Sequence, residues 1–287
     1  MAEKKFKYGR WTVRVDTYRS LTEMRRELEK LPVQSYGSDY LYEGATGGHW
    51  IGVKDDAELK TLMNRGVVDA KRMNNIKALA SKDGTKAKAK FAIKTRYDEE
   101  GDDLDIDDFV RKDPKCWVEY YRERKPSDIV DITIVSSAPG DIDAQYFDKA
   151  AAIVASCILK LEKKGYKTRI SAFRGMIHYG KDTIYGYHVP IKTERERINY
   201  PRLMFIGTAA FVRGIGFTWV TRRFKLGNWA PLSCLDSDQM KDIVQTGTGK
   251  KDVNIVDLVK LAEMLDYGRS EEEVIAIAQD MIHYKME

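Results

Sequence analysis

The stretch that most constrains the fold runs from Asp128 to Phe173 and reads "DIVDITIVSSAPGDIDAQYFDKAAAIVASCILKLEKKGYKTRISAF". Its first part, 129–136, is apolar and rich in β-branched residues, which predicts a strand buried on both faces. After a loop of small and acidic residues, apolar positions recur on one side of a helix that Gly165 ends. Residues 166–173 form the next strand, so the stretch predicts a βαβ unit with two parallel strands.

Elements after this unit indicate a three-layer α/β domain over residues 113–287. Pro201 suits the first turn of a helix and opens the run "RLMFIGTAAFVRGIGFTWV", which is too apolar on all sides to lie on the surface. Residues 253–259 predict a further strand, and Ser270 with Glu273 forms a capping box for a last helix. We therefore expect a Rossmann-like sheet with helices on both faces.

Residues 1–112 predict an irregular α+β extension in front of that domain. Ser20 and Glu23 form a capping box before one helix, and Asp55 with Glu58 opens a second one. The boundary is placed where a basic segment, "TKAKAKFAIK" (85–94), gives way to an acidic one, "YDEEGDDLDIDD" (97–108).

The basic segment is the first candidate for contact with nucleic acid. The chain has 49 basic and 44 acidic residues, so its net charge of +5 permits a polyanionic partner and only local clusters can identify one. As a strand, residues 85–94 would present one row of lysines, about 26 Å long, to several phosphates. These residues are Lys86, Lys88, Lys90 and Lys94. Alternatively, the lysines protect a solvated strand edge or pair with the acidic segment.

A second candidate is the segment "YGYHVPIKTERERINYPR" (185–202), which mixes cations with aromatic rings. Such a mixture suits single strands or RNA. The residues concerned are Arg195, Arg197, Arg202, Tyr185, Tyr187, His188 and Tyr200. We expect this segment in a loop beyond the carboxyl end of strand 166–173, where α/β proteins bind ligands. Because Glu194 and Glu196 alternate with the arginines, the alternative is an ordinary charged helix face.

The acidic segment offers carboxylates that suit Mg²⁺ or Ca²⁺. These carboxylates belong to Asp98, Asp102, Asp103, Asp105, Asp107 and Asp108. A hydrolytic site needs ligands from separate elements, so one run of aspartates predicts a solvated surface instead. His178 and His188 do not make a zinc site without further ligands, and "TGTGKKD" lacks the glycine and hydroxyl positions of a phosphate-binding loop. The sequence therefore predicts no enzyme, metal or cofactor.

The order of the elements resembles the von Willebrand A-type fold, a Rossmann-like sheet with helices on both faces. The metal site of that fold has an Asp-x-Ser-x-Ser run at the end of its first strand. The matching segment here is "SSAPG", in which Ser136 replaces the carboxylate and Ala138 and Gly140 replace the serines. The resemblance implies the fold without its metal site.

A wider resemblance is to a family of uncharacterised proteins of tailed phages and prophages. It rests on "HWIGVKDDAELKTLMNRGV" (49–67), "DLDIDDFVRKDPKCWVE" (103–119), "LMFIGTAAFVRGIGFTWVTRR" (203–223) and "NIVDLVKLAEM" (254–264), in this order. The family has no agreed activity, so the resemblance implies a viral origin and no catalytic residue.

Three functions remain open at this point. The first is a non-catalytic binding protein that contacts nucleic acid through its basic segments. The second is an assembly or adaptor protein, and the third is a metal-dependent nuclease that uses the acidic run. Three distant cysteines and no apolar run of about 18 residues predict a protein of the infected cell's cytoplasm, or of the virion, without a membrane partner.

Overall fold

The computed structural model describes residues 1–33, 39–41, 48–67, 74, 91–98, 103–106, 110–124, 129–136, 141–225, 232–233, 235, 237–249 and 253–282. Its strands are β1 (Ala2–Tyr8), β2 (Trp11–Thr17), β3 (Phe91–Asp98), β4 (Asp103–Leu104), β5 (Trp117–Arg124), β6 (Ile129–Ser136), β7 (Lys167–His178), β8 (Thr183–Lys192), β9 (Leu232–Ser233) and β10 (Asn254–Asp257). Its α-helices are α1 (Leu21–Lys30), α2 (Gly48–Ile51), α3 (Asp56–Arg65), α4 (Ala144–Lys163), α5 (Tyr200–Ile206), α6 (Gly216–Phe224), α7 (Ser237–Thr248), α8 (Leu258–Asp266) and α9 (Glu271–Met281).

The main sheet is mixed and has the strand order β1-β2-β8-β7-β6-β10, with β9 paired to β7. Strands β6, β7 and β10 are parallel to one another, whereas β8 runs antiparallel to β7 and parallel to β2. We call the end of the sheet where β6 and β7 begin the amino end, and the opposite end the carboxyl end. A second sheet has the order β3-β5-β4.

The predicted βαβ unit is confirmed. Strands β6 and β7 pair in parallel, and α4 connects them. The apolar side of α4, which includes Phe147, Val154 and Ile158, is buried in the larger core. Every residue of β6 from Ile132 to Ser136 is buried, because helices cover both faces of the sheet.

Two hydrophobic cores show the three layers. On one face of the sheet, helices such as α4, α6 and α8 bury the larger core, around Trp219, Phe205 and Leu261. On the other face, Ile243 and Val244 of α7 belong to a smaller core with sheet residues such as Val13, Val135 and Phe173. The predicted three-layer α/β fold is therefore confirmed.

The hairpin β1–β2 is a part of this sheet that the sequence analysis did not find. Its strands pair in register from Ala2 with Thr17 to Tyr8 with Trp11, and β2 continues the sheet next to β8. Only one face of β1 is partly covered, so its sequence lacks a strong apolar pattern. The division of the chain at residues 112 and 113 stays a prediction.

Some predicted strands have different bounds. Strand β3 covers 91–98, so only the second half of the predicted strand 85–94 lies in it, and residues 85–90 fall outside the described residues. Strand β7 continues past Phe173 to His178. Strand β10 ends at Asp257, because the Asp257 carboxylate accepts hydrogen bonds from Val259 and Lys260 and begins α8.

The predicted helix starts are confirmed where a side-chain oxygen accepts a backbone N–H. Ser20 caps α1, Asp55 caps α3, and Ser270 makes a complete capping box with Glu273. Gly66 ends α3 at φ 73°, and a Cβ there would lie 2.2 Å from the carbonyl carbon of Pro201. The close approach fixes α3 against the start of α5.

The apolar segment after Pro201 is buried, as predicted, but it is not one helix. Helix α5 is followed by a π-helical turn (Ala210–Ile215) and then by α6. Arg213 lies inside this turn, fully buried, and donates hydrogen bonds to the carbonyls of Trp50 and Ile142. Among the described residues, no single helix is long and apolar enough to cross a membrane; only the pair Tyr200–Ile206 and Ala210–Phe224 together meets that criterion, and it is bent by 61°.

Candidate nucleic-acid interface

Basic side chains gather at the amino end of the sheet, where the end of α4 meets the loop after β8. Lys163 is the last residue of α4, Lys164 is its C-cap, and Lys167 begins β7 after the left-handed Gly165. Cations are favoured there, because the helix macrodipole places partial negative charge at a helix C-terminus. We call the following six residues the basic corner: Lys163, Lys164, Lys167, Arg195, Arg197 and Arg202.

One buried lysine attaches the loop to the helix. The Lys192 side chain is only 4% exposed, and its Nζ lies 2.8 Å from Oε1 of Glu162 in the last turn of α4. The same Nζ donates to the carbonyl of Thr168 at 2.7 Å and to that of Thr193 at 3.2 Å. The pKa of Tyr200 is raised, first by burial and then by the negative charge of Glu162. The start of α5 therefore lies near the same carboxylate.

Residues 193–199 form a loop with turns, so the alternative of a charged helix face is wrong. Oε2 of Glu196 accepts hydrogen bonds from the backbone N–H of Thr193 at 2.7 Å and from its hydroxyl at 3.0 Å. On the other side of the loop, Arg169 bridges Asp131 (2.6 Å) and Glu194 (3.2 Å). Short-range contacts therefore hold both glutamates of the loop.

These contacts leave the basic corner with an excess of positive charge. A hydrogen bond from its own backbone and the Arg169 guanidinium lower the pKa of Glu194, and the hydrogen bonds from Thr193 lower that of Glu196. Both are thus ionised carboxylates with local partners. Arg195 and Arg197 are exposed, and neither makes a salt bridge with another described residue.

Together with its anchoring residues, the basic corner has a net charge of +4. The positive charges in this count are the six cations of the basic corner together with Arg169 and Lys192. The negative charges are Asp131, Glu162, Glu194 and Glu196. A surface of this kind can hold several phosphates without reading a base sequence.

The structure keeps the predicted arginines on the surface but not the predicted tyrosines. Tyr185 and Tyr187 lie within β8, at 4% and 0% exposure, beneath α6 and the π-helical turn. The Tyr185 ring stacks on Phe224 at 4.1 Å, and the Tyr187 ring packs edge-on against Trp219 at 5.0 Å. Neither ring is accessible to a base. His188 is buried in the same strand, and Tyr200 is half-buried.

The position of the arginines also differs from the prediction. The segment was expected beyond the carboxyl end of strand 166–173. Instead, β7 continues to His178, turns, and returns antiparallel as β8, so residues 193–202 lie at the amino end.

The lysine row lies almost entirely outside the described residues. Of its members only Lys94 falls within them, in β3 opposite Tyr121 of β5. Lys86, Lys88 and Lys90 precede the described part of that strand. The lysine row stays a prediction.

The candidate metal ligands are only partly described. Asp98 ends β3, Asp103 lies in β4, and the carboxylate of Asp105 accepts a hydrogen bond from the Tyr97 hydroxyl at 3.2 Å. Asp102, Asp107 and Asp108 fall outside the described residues. Within the residues that the structure describes, no three His, Cys, Asp or Glu side chains are grouped in a way that could hold a metal ion.

The lysines of the basic corner were visible in the sequence as a crowd of charges at the end of the α4 pattern. The sequence does not show that these lysines lie near the arginines, because that proximity depends on β8 running antiparallel to β7.

Comparison with known proteins identifies a family but no activity. Searches of curated proteins and of solved structures found no match to the chain. Residues 3–236 match the family model described as "Domain of unknown function (DUF7192)". The match spans β1 to the segment before α7, and therefore includes the basic corner. Since it covers most of the chain, the protein belongs to the DUF7192 family.

Proposed function

We propose that the protein is a non-catalytic, phage-type binding protein that holds nucleic acid on its basic corner. The observation that carries this proposal is the charge imbalance of that corner, where exposed cations surround carboxylates that already have partners. Phosphate contacts need only such positive charge at a suitable spacing. We further propose that it acts in the cytoplasm of an infected cell, or as a component of the virion.

The test is a binding titration with a 20-base-pair DNA duplex at several salt concentrations. If Lys163, Lys167, Arg195 and Arg197 each neutralise about one phosphate, log K falls with log salt at a slope of roughly −3 to −4. Alanine at all four positions should remove most of that slope. Because these side chains are exposed and outside the core, the variant should still fold.

The matched control removes lysines that lie outside the basic corner, at the β10 edge of the sheet. Lys241 and Lys260 are exposed and line a pocket of about 300 Å³ beside β10. The Lys241→Ala, Lys260→Ala double variant should bind like the unmodified protein. A third variant, with Lys86, Lys88 and Lys90 changed to alanine, measures the contribution of the predicted lysine row in the same assay.

Two results would refute the proposal. One is the absence of binding at low salt by the unmodified protein. The other is equal loss of binding in the basic-corner variant and the Lys241, Lys260 control. A stable multimer that does not bind nucleic acid would favour the assembly or adaptor role, and Mg²⁺-dependent cleavage would favour the nuclease.

A further inference from the structure

Two hairpin turns lie side by side at the carboxyl end of the sheet, far from the basic corner. The β1–β2 turn contains Gly9, in the left-handed region at φ 55°, and Arg10. The β7–β8 connection is a short 3₁₀ turn (Tyr179–Lys181). The backbone N–H of Thr12 donates to the carbonyl of Asp182 at 2.9 Å, which ties the two turns together.

Aromatic rings and cations from both turns form one exposed surface. The rings of Trp11 and Tyr179 meet edge to face, with centroids 5.5 Å apart. The Arg10 guanidinium lies over the Trp11 ring, 4.5 Å from its centroid. Tyr179 is 48% exposed, Trp11 is half-buried, and Arg10 and Lys181 are exposed. We call Arg10, Trp11, Tyr179 and Lys181 the turn surface.

We propose that the turn surface binds unpaired bases of a single-stranded nucleic acid; this inference rests on the proposed function. Trp11 packs partly against the smaller core and Tyr179 is about half exposed, so each ring leaves part of its surface in solvent, where a base can stack on it. Only unpaired bases have a free face, since the bases of a duplex stack on their neighbours. Arg10 and Lys181 supply charge for the adjoining phosphates, while the nearby Asp182 limits the net charge to a modest value.

The two turns make the surface rigid before a strand arrives. The Thr12–Asp182 hydrogen bond fixes their spacing, and Lys7 Nζ donates to the Thr12 hydroxyl at 2.9 Å beneath them. Behind Trp11, the apolar residues Val13 and Ile184 belong to the buried smaller core. A preorganised ring costs little entropy when a base stacks on it.

The turn surface and the basic corner would then read different features of one ligand. Strand β8 connects the two, and its nine-residue step from Thr183 to Lys192 spans about 30 Å. The basic corner holds phosphates of any strand, whereas the turn surface distinguishes unpaired from paired bases.

The experiment compares Tyr179→Ala with the unmodified protein on three probes: a 20-nucleotide single-stranded DNA, the same sequence as RNA, and the 20-base-pair duplex. Loss of one stacked base should weaken single-strand binding about tenfold, which corresponds to ~1.4 kcal/mol. Duplex binding should change less than twofold. A 2-aminopurine in the single strand should be quenched on binding, and Tyr179→Ala should reduce the quenching.

The matched control is Tyr120→Ala, which removes a tyrosine of equal exposure (49%) from β5 of the second sheet and should leave all three affinities unchanged. In the Arg10→Ala, Lys181→Ala double variant, the slope of log K against log salt for the single strand should be shallower by about 1.4, because two phosphate contacts are lost. Circular dichroism spectra confirm that each variant is folded.

The outcomes separate this inference from the proposed function. If the protein binds the duplex and both single strands, and Tyr179→Ala affects none of them selectively, the turn surface is not a base-stacking site and the basic corner stands. If the unmodified protein binds no nucleic acid, both proposals fail. A preference of the turn surface for the DNA or the RNA strand identifies which of the two is the ligand.

Discussion

The basic corner differs sharply from the opposite corner of the sheet, where β6 and β10 end. There the loop after β6 contributes Asp141, β10 ends at Asp257, and α8 contributes Glu263. Burial first, and then the charges of Asp257 and Asp141, raise the pKa of Glu263. In the basic corner the pKa of the same residue type is lowered at Glu194 and Glu196. We call Asp141, Asp257 and Glu263 the acidic corner.

This contrast bears on where the proposed polyanion would dock on this fold. Open α/β sheets commonly bind ligands at the carboxyl ends of their parallel strands. Here that position, next to β6 and β10, carries carboxylates that already repel one another, so a phosphate backbone is disfavoured there. The antiparallel return of β8 brings the arginine loop to the amino end, where helix α4 ends in lysines. For the proposed site, local charge is therefore a better guide than the position at which this fold class usually binds ligands.

The largest effect that tests this comparison is expected from Lys192→Met. Near the basic corner, the buried side chain of Lys192 forms an ion pair with Glu162. Methionine preserves most of the volume but leaves Glu162 and the Thr168 carbonyl without this donor. Glu162 is 24% exposed and keeps its hydrogen bond from the Thr168 hydroxyl, so breaking this partly buried ion pair should lower the free energy of unfolding by about 2 kcal/mol, less than for a fully buried pair. Urea denaturation monitored by circular dichroism measures it.

The control for this variant is Lys260→Met in the acidic corner's neighbourhood. Lys260 is exposed, so its loss should change the free energy of unfolding by no more than about 0.5 kcal/mol. Equal destabilisation by both variants would show that Lys192 has no special structural role, and that the loop is held in place by other contacts.

A smaller effect is expected from Glu196→Gln on the binding of nucleic acid. The amide oxygen of glutamine can still accept the hydrogen bonds from Thr193, so the loop keeps its shape while the corner loses one negative charge. Affinity for the duplex should rise about twofold to fivefold at low salt, and the gain should shrink as salt screens the charge. Fluorescence anisotropy at two salt concentrations measures both.

Asp280→Asn is the corresponding change on the other side of the comparison. Asp280 is exposed and lines the pocket beside β10, so its replacement removes one negative charge outside the basic corner. An equal gain in affinity from both variants would mean that net charge alone governs binding, and that the basic corner is not a distinct site.

The sequence predicts those parts of the fold that depend on neighbouring residues. The apolar, β-branched run of β6, the apolar side of α4 and the helix caps at Ser20, Asp55 and Ser270 all depend on residues that are close in sequence. Each of these predictions is confirmed.

The missed parts depend on contacts between distant segments. The predicted strand ends at Phe173, whereas the observed strand β7 continues through Gly175 to His178. In the structure Gly175 lies opposite Gly186, and a Cβ at Gly175 would lie 2.4 Å from Cδ1 of Leu235. The space at this glycine is thus limited by a side chain sixty positions later, and no local pattern reveals that.

The early end predicted for β7 also explains why Tyr185 and Tyr187 were wrongly expected at the surface. Because β7 was expected to end at Phe173, Tyr185 and Tyr187 were expected in a loop, where their rings would be available for stacking. In a central strand covered by helices they pack inside instead. Half-buried Trp11 and exposed Tyr179 lie beside two turns that only the sheet brings together.

The smallest expected effect concerns stability and pH at the acidic corner. Glu263→Gln removes a carboxylate whose pKa in the folded protein is raised above its ordinary value of 4.5. A raised carboxylate pKa means that ionisation opposes folding, so the cost is present above the folded pKa and disappears as the pH falls through that value towards 4.5. The variant should therefore be more stable than the unmodified protein at pH 7, by about 0.5 kcal/mol.

Urea denaturation at pH 7 and at pH 4 checks this prediction, with Glu194→Gln as the control of opposite sign. The lowered pKa of Glu194 means that its carboxylate supports folding above pH 4.5, so its replacement should destabilise the protein at pH 7. At pH 4 the difference between Glu263→Gln and the unmodified protein should vanish, because Glu263 is then largely protonated in both the folded and the unfolded chain. A gain that persisted at pH 4 would come from the glutamine amide or from helix propensity, and the repulsion that distinguishes the two corners would not be its cause.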